Sequence, residues 1–571
     1  MCGFTGFFNF PQLNTDDYKN FFISVIKNRG PDKSNNLLIK NKLNLFFARL
    51  SIVDLSSYGD QPMNSISNKM TIVFNGEIYN HKELRNKLEK INITLRGNSD
   101  TEVLLECIEN FGFDVLQEVR GMFAFALYDH IKSYLYFIND RFGEKPLYYY
   151  FDSKSIFFSS DIKSFTFKKR SLNKLSIKYF FNNNVIPYPY TIWKDVDRIK
   201  PSEIIKFKLN FEKNEVKKIN SYNYWSPKNY KALSKDPIDI VADKLENMLF
   251  EVIEKQLDND VSTGCFLSGG VDSSLVSAIA SKIRPNKIKT ISIGFKDKKL
   301  DESRYAIKIA DYLKTDHSNK ILDVDDISNI LESIPNIYGE PFSDSSQIPT
   351  ALLCKFASEK IKVALTGDGG DEIFGGYDRY HFVPKFWKYL SILPTQSRLL
   401  IKKTMEMLSP YSYQLFAFFI QKLLMKYKST VYFENKLRNL ILSLDSKNPV
   451  ELAKKLSYHY FDDFNLIKDT IIKDKTYIYD KSFTAADNIM INDISDYLPN
   501  DLLVKVDRAA MYYGLENRSP FLDHVIYEYS KEIPLKYKIN DNKSKVILKK
   551  ILSRHIPNNL FERPKHGFLA P

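Results

Sequence analysis

Short apolar runs recur through the first 210 residues, separated by polar turns. Those at 43–47, 70–74, 122–128, 134–138, 147–151 and 155–159 have the length and aromatic content of strands. Helix-spaced apolar positions intervene at 18–27, 81–90 and 101–110. Antiparallel sheets with flanking helices follow from this pattern. Between 211 and 236 the chain turns polar and rich in turn formers, with Lys213-Asn214-Glu215, Ser226-Pro227 and Asp236-Pro237. A domain boundary is placed there. An amphipathic helical pattern over 239–256 then leads into an apolar run at 261–267. Beyond it, strand-like runs at 289–295 and 362–366 alternate with a helical segment at 302–313. Such alternation predicts a parallel, doubly wound sheet. The aromatic, lysine-rich stretch from 380 to 493 reads as helices, for example 396–407 and 450–460. So do 496–511 and 544–553.

A chain of 571 residues is too long for one domain, and 44% apolar residues suffice for more than one core. The net charge of +13 permits an acidic partner. The basic residues are scattered, however, without an RNA-binding aromatic signature, zinc spacing or long basic arm, so no nucleic-acid partner is expected. Cys2, Cys107, Cys265 and Cys354 lie too far apart for a disulfide framework or a metal pair, which fits a reducing compartment. The apolar N-terminus lacks the basic segment of a secretion signal. The run at 415–424 is broken by Gln421 and Lys422 and is too short to span a bilayer. A cytoplasmic protein without a membrane partner is the expectation.

Candidate chemistry sharpens the second half first. Ser268-Gly269-Gly270-Val271-Asp272-Ser273-Ser274 follows the apolar run at 261–267 and opens a helix-compatible one. A glycine loop at a helix N-terminus offers backbone N–H groups and a positive dipole end to phosphate. The spacing is not that of the common P-loop. The other predicted strands of this half also end in candidate loops, Ile293-Gly294-Phe295 and Thr366-Gly367-Asp368-Gly369-Gly370-Asp371-Glu372. Carboxylates such as Asp272, Asp368 and Asp371 repel polyphosphate unless a divalent cation lies between, and Mg2+ is the ion expected. In the first half, removal of Met1 would leave Cys2 with a free α-amine. That amine, with a pKa near ~8, can act as base for its own thiol.

The Ser-Gly-Gly-x-Asp-Ser loop resembles the pyrophosphate loop of the N-type ATP pyrophosphatases. Cys2, with the segments at 28–32, 48–54, 75–80, 98–102 and 141–149, resembles the class II glutamine amidotransferases, which are N-terminal-nucleophile hydrolases. The resemblance implies that Cys2 attacks the glutamine amide, with the Asn75 side chain and the Gly76 N–H as oxyanion hole. It implies that Arg49 takes the glutamine α-carboxylate, that Glu77 and Asp100 receive the α-ammonium, and that Leu50, Ser51, Ile52 and Val53 supply backbone contacts. Asn28 stands where the family often has His, and Asn139 where Arg is common.

The second half resembles the synthetase domain of the glutamine-hydrolysing asparagine synthetases. The matching segments are 267–274, 292–295, 315–317, 340–346, 365–377, 497–507, 515–523 and 563–568. The implied fold is α/β. An αββα N-terminal-nucleophile sandwich (2–210) and a linker (211–236) precede a doubly wound parallel-sheet ATP pyrophosphatase domain with extra helices (237–571). By the same resemblance, Ser268, Gly269, Gly270 and Ser273 cradle pyrophosphate. Phe266 and Ile293 contact adenosine, Thr366 and Gly367 approach the nucleotide, and Asp272 and Asp371 hold Mg2+. Asp368 matches an acidic residue of acyl-adenylate formation that is Glu in some relatives. Lys565 matches a lysine that stabilises the leaving phosphates.

The implied reaction is ATP-dependent amidation of L-aspartate with nitrogen from glutamine, by way of β-aspartyl-AMP, in a chain that can pair as a homodimer. Two alternatives are carried: the same chemistry on another carboxylate such as a sugar acid, and a glutaminase-only or non-synthetic paralogue. The latter arises because members of this branch continue for tens of residues past Lys565-His566-Gly567-Phe568, where this sequence ends at Pro571.

Overall fold

A computed structural model describes residues 2–10, 16–228, 234–297, 301–407, 412, 414, 430–458, 467, 477–540 and 543–562, with the side chains of 430–435 excepted. The first half contains β1 (Gly3–Phe8), β2 (Lys33–Ile39), β3 (Leu43–Arg49), β4 (Met63–Asn64), β5 (Met70–Ile78) and β6 (Gly121–Asp129). It continues with β7 (Tyr134–Asn139), β8 (Tyr148–Phe151), β9 (Ile156–Ser159), β10 (Asp197–Arg198), β11 (Glu203–Asn210) and β12 (Glu215–Asn223). They form two six-stranded sheets, ordered β10-β8-β9-β1-β3-β2 and β12-β11-β7-β6-β5-β4. All of their pairings are antiparallel.

The side-chain alternation of β1 shows how the layers assemble. Phe4 and Phe8 face the second sheet, joining Phe47, Val73, Ala124, Phe137 and Phe207 in one buried cluster. Phe7 points the other way, onto Phe22 and Ile26 of the helix Asp16–Lys27. On the far side of the second sheet, Phe74, Phe123 and Phe125 pack against Leu84, Leu88, Val103 and Leu104 of the helices His81–Glu89 and Asp100–Phe111. The result is an αββα sandwich, because strands with two apolar faces need a layer on each.

Two features depart from the sequence reading. The apolar N-terminal run is a central strand, β1. Glu215–Asn223, assigned above to the linker, pairs with β11 as the edge strand of the second sheet. It is mostly exposed and mostly polar, so the pattern looked like a linker; an edge strand is paired along one side only.

The second half is built on β13 (Thr263–Phe266), β14 (Lys289–Phe295), β15 (Asp316–Leu322), β16 (Val363–Leu365) and β17 (Glu516–Arg518). All are parallel, in the order β15-β14-β13-β16-β17. The chain builds outward from β13 in one direction, then returns to build in the other. The loops after β13 and β16 therefore open side by side at the switch point, where ligands of such sheets bind. The predicted helix over 496–511 is two elements. Asp493–Leu502 is a wide, π-type turn containing Pro499, and an α-helix follows at Leu503–Tyr512. Proline has no N–H for the i−4 carbonyl and clashes with it, and such widened turns recur at functional sites. Among the described residues no helix is long and apolar enough to cross a membrane.

The two halves share a polar, buried interface. Asp507 lies between Arg29 at 3.0 Å and Lys145 at 3.1 Å. Arg120 meets Asp523 at 2.9 Å, and Arg518 approaches Glu77 at 3.4 Å. Leu50, Ile52 and Phe142 of the first half belong to the main apolar cluster of the second.

Two candidate active sites

The first site forms around Cys2. The β1–β3 register pairs Gly3 with Ala48, so one further step sets Cys2 opposite Arg49. From β5, Asn75 accepts a hydrogen bond at Oδ1 from the Cys2 backbone N at 3.2 Å. The other end of the Asn75 amide, Nδ2, is buried and has no hydrogen-bond partner among the described residues. An unsatisfied buried donor costs about 1–3 kcal/mol. A donor left so beside a nucleophile is what an oxyanion would satisfy. Burial pushes the Cys2 thiol up, while a Leu50 backbone hydrogen bond and Arg49 pull it down. A thiol so placed stays protonated at neutral pH and needs a base, which its own nitrogen supplies only once Met1 is removed.

Around this centre, Arg49 is 5% exposed and donates through Nη1 to the Ser56 carbonyl at 2.7 Å and to Asp60 at 2.8 Å. It also donates to the Asp54 carbonyl. Ser51 N–H donates to Asp32 at 2.8 Å. Leu50 and Ile52 bury their side chains in the second half and Val53 packs partly against the same core, so these three can offer a ligand only backbone polar groups. Asp100 opens its helix and accepts from Ile78 N at 2.9 Å and Thr101 N at 2.7 Å. Burial, then the neighbouring Asp100 charge, push the Glu77 carboxyl well up, opposed by Arg518. Burial also pushes the Asp100 carboxyl up, and two such buried acidic groups side by side suit a cationic ligand group. Gly76 shares β5 with Asn75 and Glu77, and a Cβ there would meet the Met122 carbonyl at 2.2 Å.

The second site lies at the switch point of the parallel sheet. After β13 the chain turns through Gly269, at φ +74°, into the helix Val271–Ile283. Ser268 and Ser273 hydroxyls bond at 2.9 Å across the turn, and Gly270 N–H donates to Ser268 Oγ at 3.3 Å. The loop after β16 presses against this helix start. A Cβ on Gly367 would lie 2.8 Å from Asp272 Cβ and 2.9 Å from Ser273 N, and one on Gly370 would lie 2.7 Å from Asp272 Cγ. Thr366 Oγ1 donates to Asp368 at 2.7 Å and shares a 3.0 Å contact with Ser519. Burial pushes the Asp368 carboxyl up. Phe266, half-buried, and Ile293, buried, pack into one apolar cluster beside these loops. Replacement of Gly367 by alanine is expected to lower pyrophosphate formation at least tenfold and leave glutaminase turnover intact, because backbone and helix start cannot both keep their places. Parallel assays of the two half-reactions check it.

Asp272 and Asp371, from separate loops, converge on Lys545, whose ammonium ion-pairs with both, 2.5 Å from Asp371. Burial lowers the lysine's proton affinity, but the two carboxylates outweigh it and hold the group charged. A cation thus already fills the space the two carboxylates define. Lys545 itself lay within a stretch read only as helical; its backbone is left-handed, at φ +55°, directly before the helix Val546–Leu552. No local spacing signal marks it. Lys565 lies outside the described residues.

Comparison with known proteins agrees with this two-site arrangement. A family model for the glutamine amidotransferase domain matches residues 1–225, and one for asparagine synthase matches 244–571. A Methanocaldococcus jannaschii protein designated an asparagine synthetase (glutamine-hydrolyzing) is 34% identical over 71% of this chain and 82% of its own length. Asparagine synthetase (glutamine-hydrolyzing) 1 of Bacillus subtilis is 29% identical over all of this chain and 87% of its own. Amidase chry2 of Gibberella zeae is 24% identical over the whole chain and 89% of its own. The chain belongs to the asparagine synthase family, as a glutamine-hydrolysing, ATP-dependent amidotransferase ligase.

Proposed function

We propose that this protein converts L-aspartate to L-asparagine, with glutamine as nitrogen donor and ATP cleaved to AMP and pyrophosphate. At the first site, Cys2 Sγ attacks the glutamine amide carbon after passing its proton to its own α-amine. Asn75 Nδ2 and the Gly76 N–H hold the oxyanion. Collapse breaks the C–N bond, the α-amine returns the proton to departing ammonia, and water hydrolyses the thioester to glutamate. Arg49 receives the glutamine α-carboxylate, and Glu77 with Asp100 its α-ammonium.

At the second site, a carboxylate oxygen of aspartate attacks the α-phosphorus of ATP and expels pyrophosphate, which Ser268, Gly269, Gly270 and Ser273 cradle. Ammonia then attacks the β-carbonyl and AMP leaves. Activation is required because AMP departs readily where oxide does not. Asp272 and Asp371 would hold Mg2+, which offsets charge on the phosphates; a pair of carboxylates is the usual protein share of such a site. Lys545 ion-pairs with both carboxylates and would share that neutralising role.

One observation carries the coupling of the sites. The Glu516 charge bears on the Cys2 thiol, while Ser519, three residues along through β17, hydrogen-bonds Thr366 in the nucleotide loop. At about 3.3 Å per residue, Glu516 and Ser519 stand roughly 10 Å apart along the chain, so one short segment borders both sites. Ammonia crossing there avoids bulk water, where protonation would remove its nucleophilicity. A second reading keeps the chemistry and changes the acceptor, supported by the full-length match to a relative named as an amidase. Purified protein supplied with glutamine, ATP-Mg and a panel of acids is expected to release AMP with aspartate. Release with a uronic acid and none with aspartate would establish the second reading instead.

A further inference from the structure

Beside the nucleotide loop lies a cavity of about 250 Å³, framed by the widened turn Asp493–Leu502, the helix Pro449–Leu456 and residues 179–187. It is small against the roughly 300–1,000 Å³ of sites for drug-sized ligands. Most of its charged groups are paired. Arg379 Nε donates to Asp493 at 2.8 Å, Lys454 pairs with Asp496 at 2.9 Å, and Asp344 with Lys505 at 2.9 Å.

Two atoms of opposite sign are not satisfied. Asp501 Oδ1 and Arg379 Nη2 are buried and have no hydrogen-bond partner among the described residues, and both side chains line the cavity. Leaving charged groups so is costly, and native structures seldom do it without a ligand or function. Burial, then the nearby Asp344 charge, push the Asp501 carboxyl up to about 7, against the pull of Lys505. Lys454 and Arg379 pull the same way, yet none of the three cations hydrogen-bonds Oδ1. Arg379 is stacked against Tyr377 and Tyr497, at 4.4 and 4.9 Å to the ring centres, which fixes the plane of its guanidinium.

The cavity also abuts the chemistry. Tyr497 packs against Tyr377, whose hydroxyl donates to Glu372 at 2.6 Å, one residue beyond Asp371. Lys505, the partner of Asp344, also acts on the buried Asp368.

We propose that this cavity is the acceptor pocket and that it selects an α-amino acid, with Asp501 receiving the α-ammonium and Arg379 Nη2 the α-carboxylate. This rests on the amidation reading above and narrows it. With the α-carboxylate engaged by Arg379, the side-chain carboxylate of aspartate is the one left for adenylation, so the product is asparagine and not the α-amide. A sugar acid has no cation for Asp501 and would leave that group as unsatisfied as it is in the empty pocket.

The test uses the full chain with ammonium chloride as nitrogen source and ATP-Mg, reading AMP formation. L-Aspartate is compared with succinate, which lacks the ammonium, and with β-alanine, which lacks the α-carboxylate. Both analogues are expected to be at least tenfold poorer in kcat/KM. Asp501→Asn is expected to raise KM for aspartate about 10- to 150-fold, the span of charge-assisted hydrogen bonds, without moving KM for ATP. It is also expected to reduce discrimination against succinate by a similar factor. Unchanged aspartate KM and discrimination in Asp501→Asn would overturn the assignment while leaving aspartate amidation standing. Amidation of a uronic acid with no α-amino acid used would overturn both. Glutaminase turnover reports whether the variant folds. If it does not, the wild-type comparison decides, and equal use of succinate and aspartate refutes the pocket.

Discussion

Replacing Cys2 with alanine abolishes glutamine-dependent amidation and leaves ammonia-dependent amidation in place. The first part follows because no other group near Asn75 can form the acyl intermediate. Cys107, Cys265 and Cys354 are buried elsewhere, in apolar surroundings. Their thiols are held protonated by burial, at about 12 for Cys107 and Cys265. The second part follows because the proposed adenylation site is built from the loops after β13 and β16, and Cys2 belongs to neither. The expected loss in glutaminase kcat is complete within detection, against a change of less than about twofold with ammonium chloride. Side-by-side AMP assays with the two nitrogen sources check it. Loss of both activities would contradict separate sites. Cys2→Ser is a stricter probe: it keeps the hydrogen-bonding capacity but offers a far weaker nucleophile at neutral pH. It is expected to bind glutamine and not turn it over.

Asp507→Asn is expected to be the most destabilising single change at the interface, by about 3–5 kcal/mol, the cost of removing one partner from a buried ion pair. Its carboxylate is 4% exposed and is the common partner of Arg29 and Lys145. An amide leaves both cations buried without their counter-charge. Burial alone would raise the Asp507 pKa, but the two cations overcome it and hold the carboxyl below its usual range. A carboxyl depressed in the folded state contributes its stability in full above the ordinary carboxylate pKa of about 4, and loses it as pH falls through the depressed value. The variant should therefore be weaker than the wild type at neutral pH, with the gap closing below about pH 4. Denaturant unfolding across that range measures it. A pH-independent gap would show that packing, not charge, is what the substitution removes. Arg29 also donates to the Cys2 carbonyl at 3.5 Å, so the same substitution loosens one anchor of the nucleophile.

What could be read ahead of the structure depended on whether the signal was local. The glycine loop after β13 and the Thr366–Glu372 loop carry their geometry in adjacent residues, so type and spacing suffice. Cys2 was likewise marked by its place at the chain start. Lys545 gave no such signal, because its meaning is its distance from Asp272 and Asp371, residues more than 170 positions away. Asp501 and Arg379 are ordinary charged residues in helical patterns until Pro499 widens the turn and packing strips one atom of each of its partner. The strand Glu215–Asn223 was hidden for a related reason: only pairing with β11 distinguishes an edge strand from a polar linker.

By itself, the sequence determined the two domains and their order along the chain and pointed to a candidate site in each, since backbone loops and a residue near the chain start act through neighbours in the chain. Tertiary structure alone decided which separated charges meet: Lys545 between two loops, Asp507 between two cations, and Asp501 and Arg379 on one cavity. Coulombic and desolvation energies depend on distance and burial, and neither is a property of residue order.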